Sequence, residues 1–168
     1  GSDPFRPAFT PEELHAIADE GHRRGKRIAA HTRSNLTTGM VIDAEIDIVM
    51  HGWGADETGA RVFDDHLADR MAEREVWVNP TLHITRSRIP MLQAKVDAGE
   101  ATDDEIAMLD RITKGHATTL DQISRYVSRG VRLMAGSDCG WGVYPFGRFY
   151  LELAAMTNAG LTATQAIA

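Results

Sequence analysis

The amino-acid sequence predicts an α/β fold with a parallel sheet, and three observations support this prediction. Short apolar runs alternate with helical patterns along the 168 residues, the helices carry start or stop signals, and three of the four predicted strands end in a histidine or an aspartate. A helix between successive strands is typical of right-handed crossovers between parallel strands. Four such units fit either a doubly wound sheet or part of a (β/α)8 barrel.

The first predicted unit is a helix followed by a short strand. Thr10 and Glu13 have the spacing of a capping box, and Gly25 suits the end of the helix that they begin. The apolar run 27–31 then predicts a strand that ends in His31.

The second and third units repeat this order. A short helix over 37–44 leads to a strand over 46–51 that again ends in a histidine, His51. A helix near 61–73 leads to a strand over 76–78. We therefore expect the two histidines at the same edge of the sheet, because strand ends of one polarity meet there in a parallel sheet.

An insertion over residues 84–117 interrupts the rhythm before the fourth unit. Ser137 and Asp138 lie at the end of the fourth predicted strand, and a new capping box near the end of the chain, Thr162 with Gln165, begins one more helix. The predicted elements of this half are helices over 89–96 and 103–112, a helix from Thr119, a strand over 131–136 and a helix over 148–158. With no linker or low-complexity segment, residues 1–168 are predicted to form one domain.

Composition excludes several classes of protein. The net charge of −6 and the scattered lysines and arginines argue against a nucleic-acid partner, which requires a basic face. No apolar run approaches the roughly 20 residues that cross a bilayer, so no membrane partner is expected. The single cysteine, Cys139, cannot form an internal disulfide. We expect a cytoplasmic protein, although a chain that opens without methionine does not display a natural N-terminus.

The three strand-end residues His31, His51 and Asp138 are of the types that bind a divalent metal. Active sites of parallel α/β folds lie at the carboxyl ends of the strands, so three such side chains can converge. Imidazole and carboxylate are suitable ligands for Zn²⁺. The alternative is that each is an ordinary polar residue where a strand enters a loop.

Four motifs in this chain resemble the amidohydrolase superfamily, in its imidazolonepropionase- and prolidase-like branch. Each motif alone is weak, but they occur in the family's order across nearly the whole chain, with only residues 84–117 carrying little similarity. The motifs are ADEGHRRGKRIAAH at 18–31, IVMHG at 48–52, VNPTL at 78–82 and AGSDCG at 135–140.

This resemblance implies the last four βα units of a TIM-type (β/α)8 barrel, with the helical insertion after the third of them. It implies that His31 and His51 bind metal, zinc in first place, with one or two ions in the full-length protein. It also implies that Asp138 is both a metal ligand and the catalytic residue that takes a proton from the attacking water and delivers it to the leaving group.

The sequence departs from the family pattern in two ways. Glu45, Met50 and Cys139 replace a glycine, a glutamate and a small residue, and the last two are expected to alter the pocket wall. The family's His-x-His pair of the first strand and lysine of the fourth strand have no counterpart. We therefore expect a domain truncated at both ends, inactive alone, that needs the missing N-terminal half of the barrel or associates with itself.

Four further residues are weaker candidates for binding the substrate. His83 and Arg86 follow the third strand and suit a substrate carboxylate, with a plain loop role as the alternative. Trp141 and Tyr144 follow Asp138 and either line the pocket or pack beneath the loop. The remaining histidines are interpreted as surface or helix-packing residues: His15, His22, His66 and His116.

The function implied is metal-dependent hydrolysis of an amide-type C–N bond in a small molecule: an N-acyl amino acid, a dipeptide or a cyclic amide. The alternative from another class is a non-catalytic half-barrel that associates with a partner chain. A flavodoxin-like sheet is the third option, and it leaves His31 and His51 unexplained.

Overall fold

The computed structural model describes residues 5–140 and 143–168. Two compact units divide the chain: residues up to Pro80 with Gln122–Met134, and Thr81–Asp121 with residues from Ala135 onward. The elements are α1 Pro11–Arg23, β1 Ala29–Thr32, α2 Asn35–Asp43, β2 Ile48–His51, α3 Asp65–Glu73, β3 Trp77–Asn79, α4 Leu82–Arg86, α5 Ile89–Asp97, α6 Asp103–Ser128, β4 Arg132–Leu133, α7 Tyr150–Asn158 and α8 Ala163–Ile167. The interpretation of the chain as one domain stays a prediction.

The first unit contains a parallel sheet with the strand order β1-β2-β3-β4. One row of aligned residues near the carboxyl ends crosses three strands: His31, Met50 and Asn79. The predicted α/β fold with a parallel sheet is therefore confirmed. β2 ends in His51 as expected, whereas β1 continues one residue beyond His31, to Thr32.

Side-chain caps explain where the first helices begin. The Thr10–Glu13 capping box opens α1 as predicted, and Ser34 caps α2. The helix expected near 61–73 begins later, at Asp65, because the Asp64 side chain accepts a hydrogen bond from the Leu67 N–H at 2.9 Å.

The insertion differs most from prediction. The helices expected over 103–112 and from Thr119 are one helix, α6, of 26 residues. Near the expected break, the hydroxyls of Thr118 and Thr119 donate to the carbonyl oxygens four residues earlier. These bonds satisfy the hydroxyls without leaving the helical conformation.

The fourth strand is shorter than predicted. The run 131–136 yields only the two residues of β4, because its partner β3 has only three. The Met134 N–H still donates to the Val78 carbonyl at 2.9 Å, and the chain then leaves the sheet. The strand therefore ends five residues before Asp138.

Each unit has its own buried apolar side chains. In the first unit they come from the sheet and from α2, α3 and the end of α6, and they include Val49, Val78, Met71 and Tyr126. In the second unit α7 packs against α4 and α8, with Leu82 and Met156 buried. No helix in the described residues is long and apolar enough to cross a bilayer.

Asp47 ties α1 to the amino-terminal ends of β1 and β2. Its Oδ2 accepts a hydrogen bond from the Ile28 N–H at 2.8 Å and lies 2.9 Å from His22 Nε2. Burial opposes ionisation of this carboxyl, but the bonds from Ile28 and His22 and the charge of His22 outweigh it, so the pKa of Asp47 is lowered.

We expect Asp47→Ala to lower the free energy of unfolding by about 1–3 kcal/mol at neutral pH, because the Ile28 N–H and His22 lose their acceptor. Since the folded pKa lies below the unfolded value, this contribution is present above the unfolded pKa and is lost as the pH falls through the folded one. Denaturant unfolding of both proteins across the acid range measures the difference. A difference that grows on acidification would contradict the assignment.

Candidate functional site

His31 and His51 lie together at the carboxyl ends of neighbouring strands. The centroids of the two imidazole rings are 4.5 Å apart and the rings are nearly perpendicular, with an interplanar angle of 78°. His31 is exposed, whereas His51 retains 8% of its surface. The structure thus brings together two of the three predicted metal ligands.

The backbone of His51 explains how its ring reaches His31. In the sheet register His51 is aligned with Thr32, whose hydroxyl accepts a hydrogen bond from Thr38 of α2 at 3.0 Å. Because successive residues of a strand face opposite sides, a regular strand would direct His51 toward α2, away from His31. His51 instead has a left-handed φ of 69°, which ends the alternation and turns its side chain toward His31.

Gly52 continues this left-handed turn, with a φ of 62°. A Cβ at this position would lie 3.0 Å from Val78 Cγ1 and 3.1 Å from Val49 Cγ1, so the turn packs tightly on the sheet. The buried hydroxyl of Tyr126 donates to the Gly52 carbonyl at 3.0 Å. Burial, and then the charge of Asp64, raise the pKa of Tyr126, which keeps the phenol protonated as a donor.

The two histidines fit part of a metal site. With Zn–N bonds of about 2.0–2.1 Å, two imidazoles on one ion have centroids about 5 Å apart, close to the observed spacing. In residues 5–140 and 143–168, no three His, Cys, Asp or Glu side chains cluster as a ligand set. Asp138 belongs to the second unit, where it follows β4 with a left-handed φ of 50°. The role of these three residues as ligands stays a prediction.

Sequence analysis did not select Trp53, which lies against His51, or Arg33 and Arg61, which lie against Trp53. The Trp53 ring lies 5.0 Å from the His51 ring, and the guanidinium carbons of Arg61 and Arg33 lie 4.9 and 5.9 Å from the Trp53 centroid. Partial burial, and then the positive charge of Arg33, lower the pKa of Arg61. Arg33 and Trp53 follow β1 and β2 within two residues, and that position was the available signal. Arg61, ten residues after β2, gave none.

Comparison with known proteins identifies the family. The model of the amidohydrolase family matches residues 1–168. The chain belongs to the amidohydrolase family. An uncharacterized protein of Mycobacterium bovis and one of Mycobacterium tuberculosis are each 29% identical to it over 161 residues, which are 96% of this chain. The amidohydrolase chain spans 39% of the length of these relatives.

Solved structures show the fold of this amidohydrolase chain. It is similar to a Xaa-Pro dipeptidase with bound methionine (TM-score 0.68, 22% identity, 96% of this chain and 36% of the other). It is also similar to A. niger ochratoxinase (TM-score 0.70, 22% identity, 98% of this chain and 33% of the other). A further similar structure is a prolidase complexed with N-methylphosphonate-L-proline (TM-score 0.63, 20% identity, 95% of this chain and 35% of the other). These neighbours are TIM barrels, so the predicted partial (β/α)8 barrel is confirmed.

The second unit of the amidohydrolase chain brings together two of the weaker candidates. The rings of His83 and Tyr144 are 4.4 Å apart. Burial, and then the charge of Arg86, lower the pKa of His83. Trp141 lies outside the described residues. The substrate-binding role of these residues stays a prediction.

A buried carboxyl that sequence analysis missed supports His83. Glu152 of α7 has no exposed surface, and its two oxygens accept hydrogen bonds from the Leu82 and His83 N–H groups at 2.7 and 2.6 Å. Burial raises the pKa of Glu152 to about 7, although both hydrogen bonds oppose the rise. A glutamate on a helix face gave no sign in the sequence that it would be buried.

The remaining histidines and the cysteine have other surroundings. His116 is buried and its Nδ1 lies 2.6 Å from the Thr85 hydroxyl; burial, and then the charges of Arg86 and His83, lower its pKa to about 4. It is a helix-packing residue, as predicted. Cys139 is free and partly exposed. The surface histidines are His15, His22 and His66.

We expect Gly52→Ala to destabilise the protein more than Gly25→Ala. Both glycines have left-handed φ values, 62° and 67°, so alanine at either costs about 1–2 kcal/mol in backbone strain. Only Gly52 has close neighbours, since nothing lies within 4 Å of a Cβ at Gly25. Crowding against the two valines should add about 1–3 kcal/mol. Denaturant unfolding measures both, and equal losses would show that the turn is not tightly packed.

We expect Glu152 to make stability depend on pH near neutrality. Its folded pKa of about 7 exceeds the ordinary 4.5, so its contribution is full below the unfolded pKa and is lost as the pH rises through 7. Relative to Glu152→Gln, the wild-type free energy of unfolding should fall by about 3 kcal/mol over this window. Denaturant unfolding checks this, with Glu100→Gln at an exposed site as the control. A pH-independent difference would contradict it.

Proposed function

We propose that the full-length protein hydrolyses an amide-type C–N bond with the help of a divalent metal, zinc in first place. The observation that carries the proposal is the pairing of His31 and His51 at the carboxyl ends of adjacent parallel strands in a chain of the amidohydrolase family. A strained, left-handed residue is kept where the surroundings enforce it and often serves function, and His51 is such a residue.

The metal would be held by His31, His51 and Asp138. When bound, such an ion acidifies a water molecule toward neutrality and polarises a carbonyl group. His31 and His51 contribute neutral imidazoles whose approach is set by the strands that carry them. The number of ions, one or two, depends on ligands that the full-length protein adds.

Asp138 is proposed as the general base and then the general acid. Its carboxylate would accept the proton of the attacking water and deliver it to the departing nitrogen, which a carboxylate can do only when it is within hydrogen-bonding reach of both. His83, Arg86 and Tyr144 are proposed to line the substrate side, together with Trp141. The bonds of Glu152 to the backbone at His83 support such a role because they hold the start of α4 in place.

The substrate proposed is a small molecule with an amide-type bond. Xaa-Pro dipeptidase, prolidase and ochratoxinase are the names of the structural neighbours, and the first two names denote cleavage of dipeptides. An N-acyl amino acid, a dipeptide and a cyclic amide all suit the proposed chemistry. We also propose a cytoplasmic location.

The sheet supports a proposal about assembly. In the described residues β1 pairs only with β2, and β4 only with β3, so each has an edge that a further strand can join. We propose that the remaining barrel of a longer protein covers these edges, or that a second copy does. The alternative function, a non-catalytic half-barrel, draws on the same edges but leaves the histidine pair without a role.

We expect Asp138→Asn in the full-length protein to retain the fold and lose turnover by about 100-fold or more, because an amide cannot accept the proton. His31→Ala and His51→Ala should lower the bound metal as well as the activity. Activity is measured as turnover of a panel of dipeptides, bound metal by elemental analysis, and folding by circular dichroism. His15→Ala is the control variant. Normal turnover after complete metal removal would contradict the proposal.

A further inference from the structure

We propose that Arg33, Trp53 and Arg61 form an anion subsite that binds the free carboxylate of the substrate beside the histidine pair. This inference rests on the proposed function, because it names the class of substrate that the same site takes. Nothing in the family resemblance selected these residues.

The three side chains meet in the first unit, just beyond the ends of β1 and β2. Both guanidinium carbons lie within cation–π distance of the one indole ring, at 4.9 Å for Arg61 and 5.9 Å for Arg33. The same ring lies 5.0 Å from that of His51. An anion held by these arginines would therefore be next to the proposed reaction centre.

Trp53 is a fixed platform for the two arginines. It retains 8% of its surface, and its indole Nε1 donates to the Pro80 carbonyl at 2.8 Å. Packing of this kind restricts the ring to one orientation, so each guanidinium group that stacks on it loses freedom before any ligand arrives. Such preorganisation lowers the entropic cost of binding.

The loop that carries Arg61 is held at several points. Arg61 forms an antiparallel bridge with Ala55, and Gln122 Nε2 donates to the Gly54 carbonyl at 2.9 Å. Asn35 Nδ2 donates to the carbonyl of Val62, the residue after Arg61, at 3.0 Å. These bonds make the loop a defined structure and place the arginine beside Trp53.

The charge of the two arginines is not compensated nearby. Within the part of the chain that the structure describes, neither Arg33 nor Arg61 forms an ion pair. Asp56, an acid of the same loop, accepts hydrogen bonds from Thr58 and Ala60. Both arginine residues remain exposed, so a ligand can reach them.

A carboxylate is the ligand that this arrangement suits. A guanidinium group offers paired N–H donors that match the two oxygens of a carboxylate, and two positive charges side by side attract an anion. The subsite therefore favours an N-acyl amino acid or a dipeptide over a cyclic amide without a free acid. The proposal assigns the substrate carboxylate to Arg33 and Arg61. The alternative binding residue for that carboxylate is Arg86, which belongs to the second unit.

The test compares acids with their neutral counterparts in the full-length protein. Calorimetry would measure binding of N-acetyl amino acids with small, aliphatic, aromatic and basic side chains, each paired with its carboxamide. Charge-assisted hydrogen bonds predict that wild type binds at least one acid about 10-fold or more tightly than its carboxamide. Arg33→Gln and Arg61→Gln should each bring this ratio toward one, and the lysine variants should retain part of it.

Arg27→Gln is the matched control, because it removes the same charge just before β1 and should preserve the ratio. Circular dichroism would verify that each variant is folded. Equal binding of acids and carboxamides by wild type, no binding of any panel member, or loss of the ratio only in Arg86→Gln would overturn the subsite. Selective binding of acids without hydrolysis would refute the proposed function and leave the subsite standing. Hydrolysis without selectivity for acids would refute the subsite and leave the proposed function standing.

Discussion

The candidate site depends on the left-handed turn that ends β2. A regular strand would direct His51 toward α2, and only the positive φ at this residue allows its ring to meet His31. Such a conformation costs about 1–2 kcal/mol in a residue with a Cβ, so the surroundings must stabilise it. Gly52 packs closely against Val49 and Val78, and its carbonyl accepts a hydrogen bond from the Tyr126 hydroxyl. These contacts stabilise the turn.

This dependence links parts of the sequence that are far apart. Tyr126 lies in α6, after the insertion, yet its hydroxyl holds the backbone beside His51. Trp53 follows the same turn and bonds to Pro80 at the end of β3. The geometry at the end of β2 is therefore set by contributions from β3 and α6, and the histidine cannot move without disturbing them.

The strands and their terminal residues could be predicted from sequence because they follow local patterns. Apolar runs and capping boxes identified β1, β2 and α1, and they placed His31 and His51 at strand ends. Features that depend on tertiary contacts could not be predicted. Neither the φ of His51 nor the burial of Glu152 has a local signature, and α6 is continuous where two helices were predicted.

The two ends of the sheet differ in how they balance charge. At the amino ends, around a cavity of about 650 Å³, acids and bases are paired: His22 with Asp47, and Arg132 with Glu75. At the carboxyl ends, Arg33 and Arg61 contact an indole instead of a carboxylate. Because the chain carries a net charge of −6, acidic residues are abundant, and composition alone does not explain why neither arginine forms an ion pair with any residue of 5–140 or 143–168. Positive charge at this end would attract an anion to the histidine pair, as the proposed hydrolysis of a substrate with a free carboxylate requires.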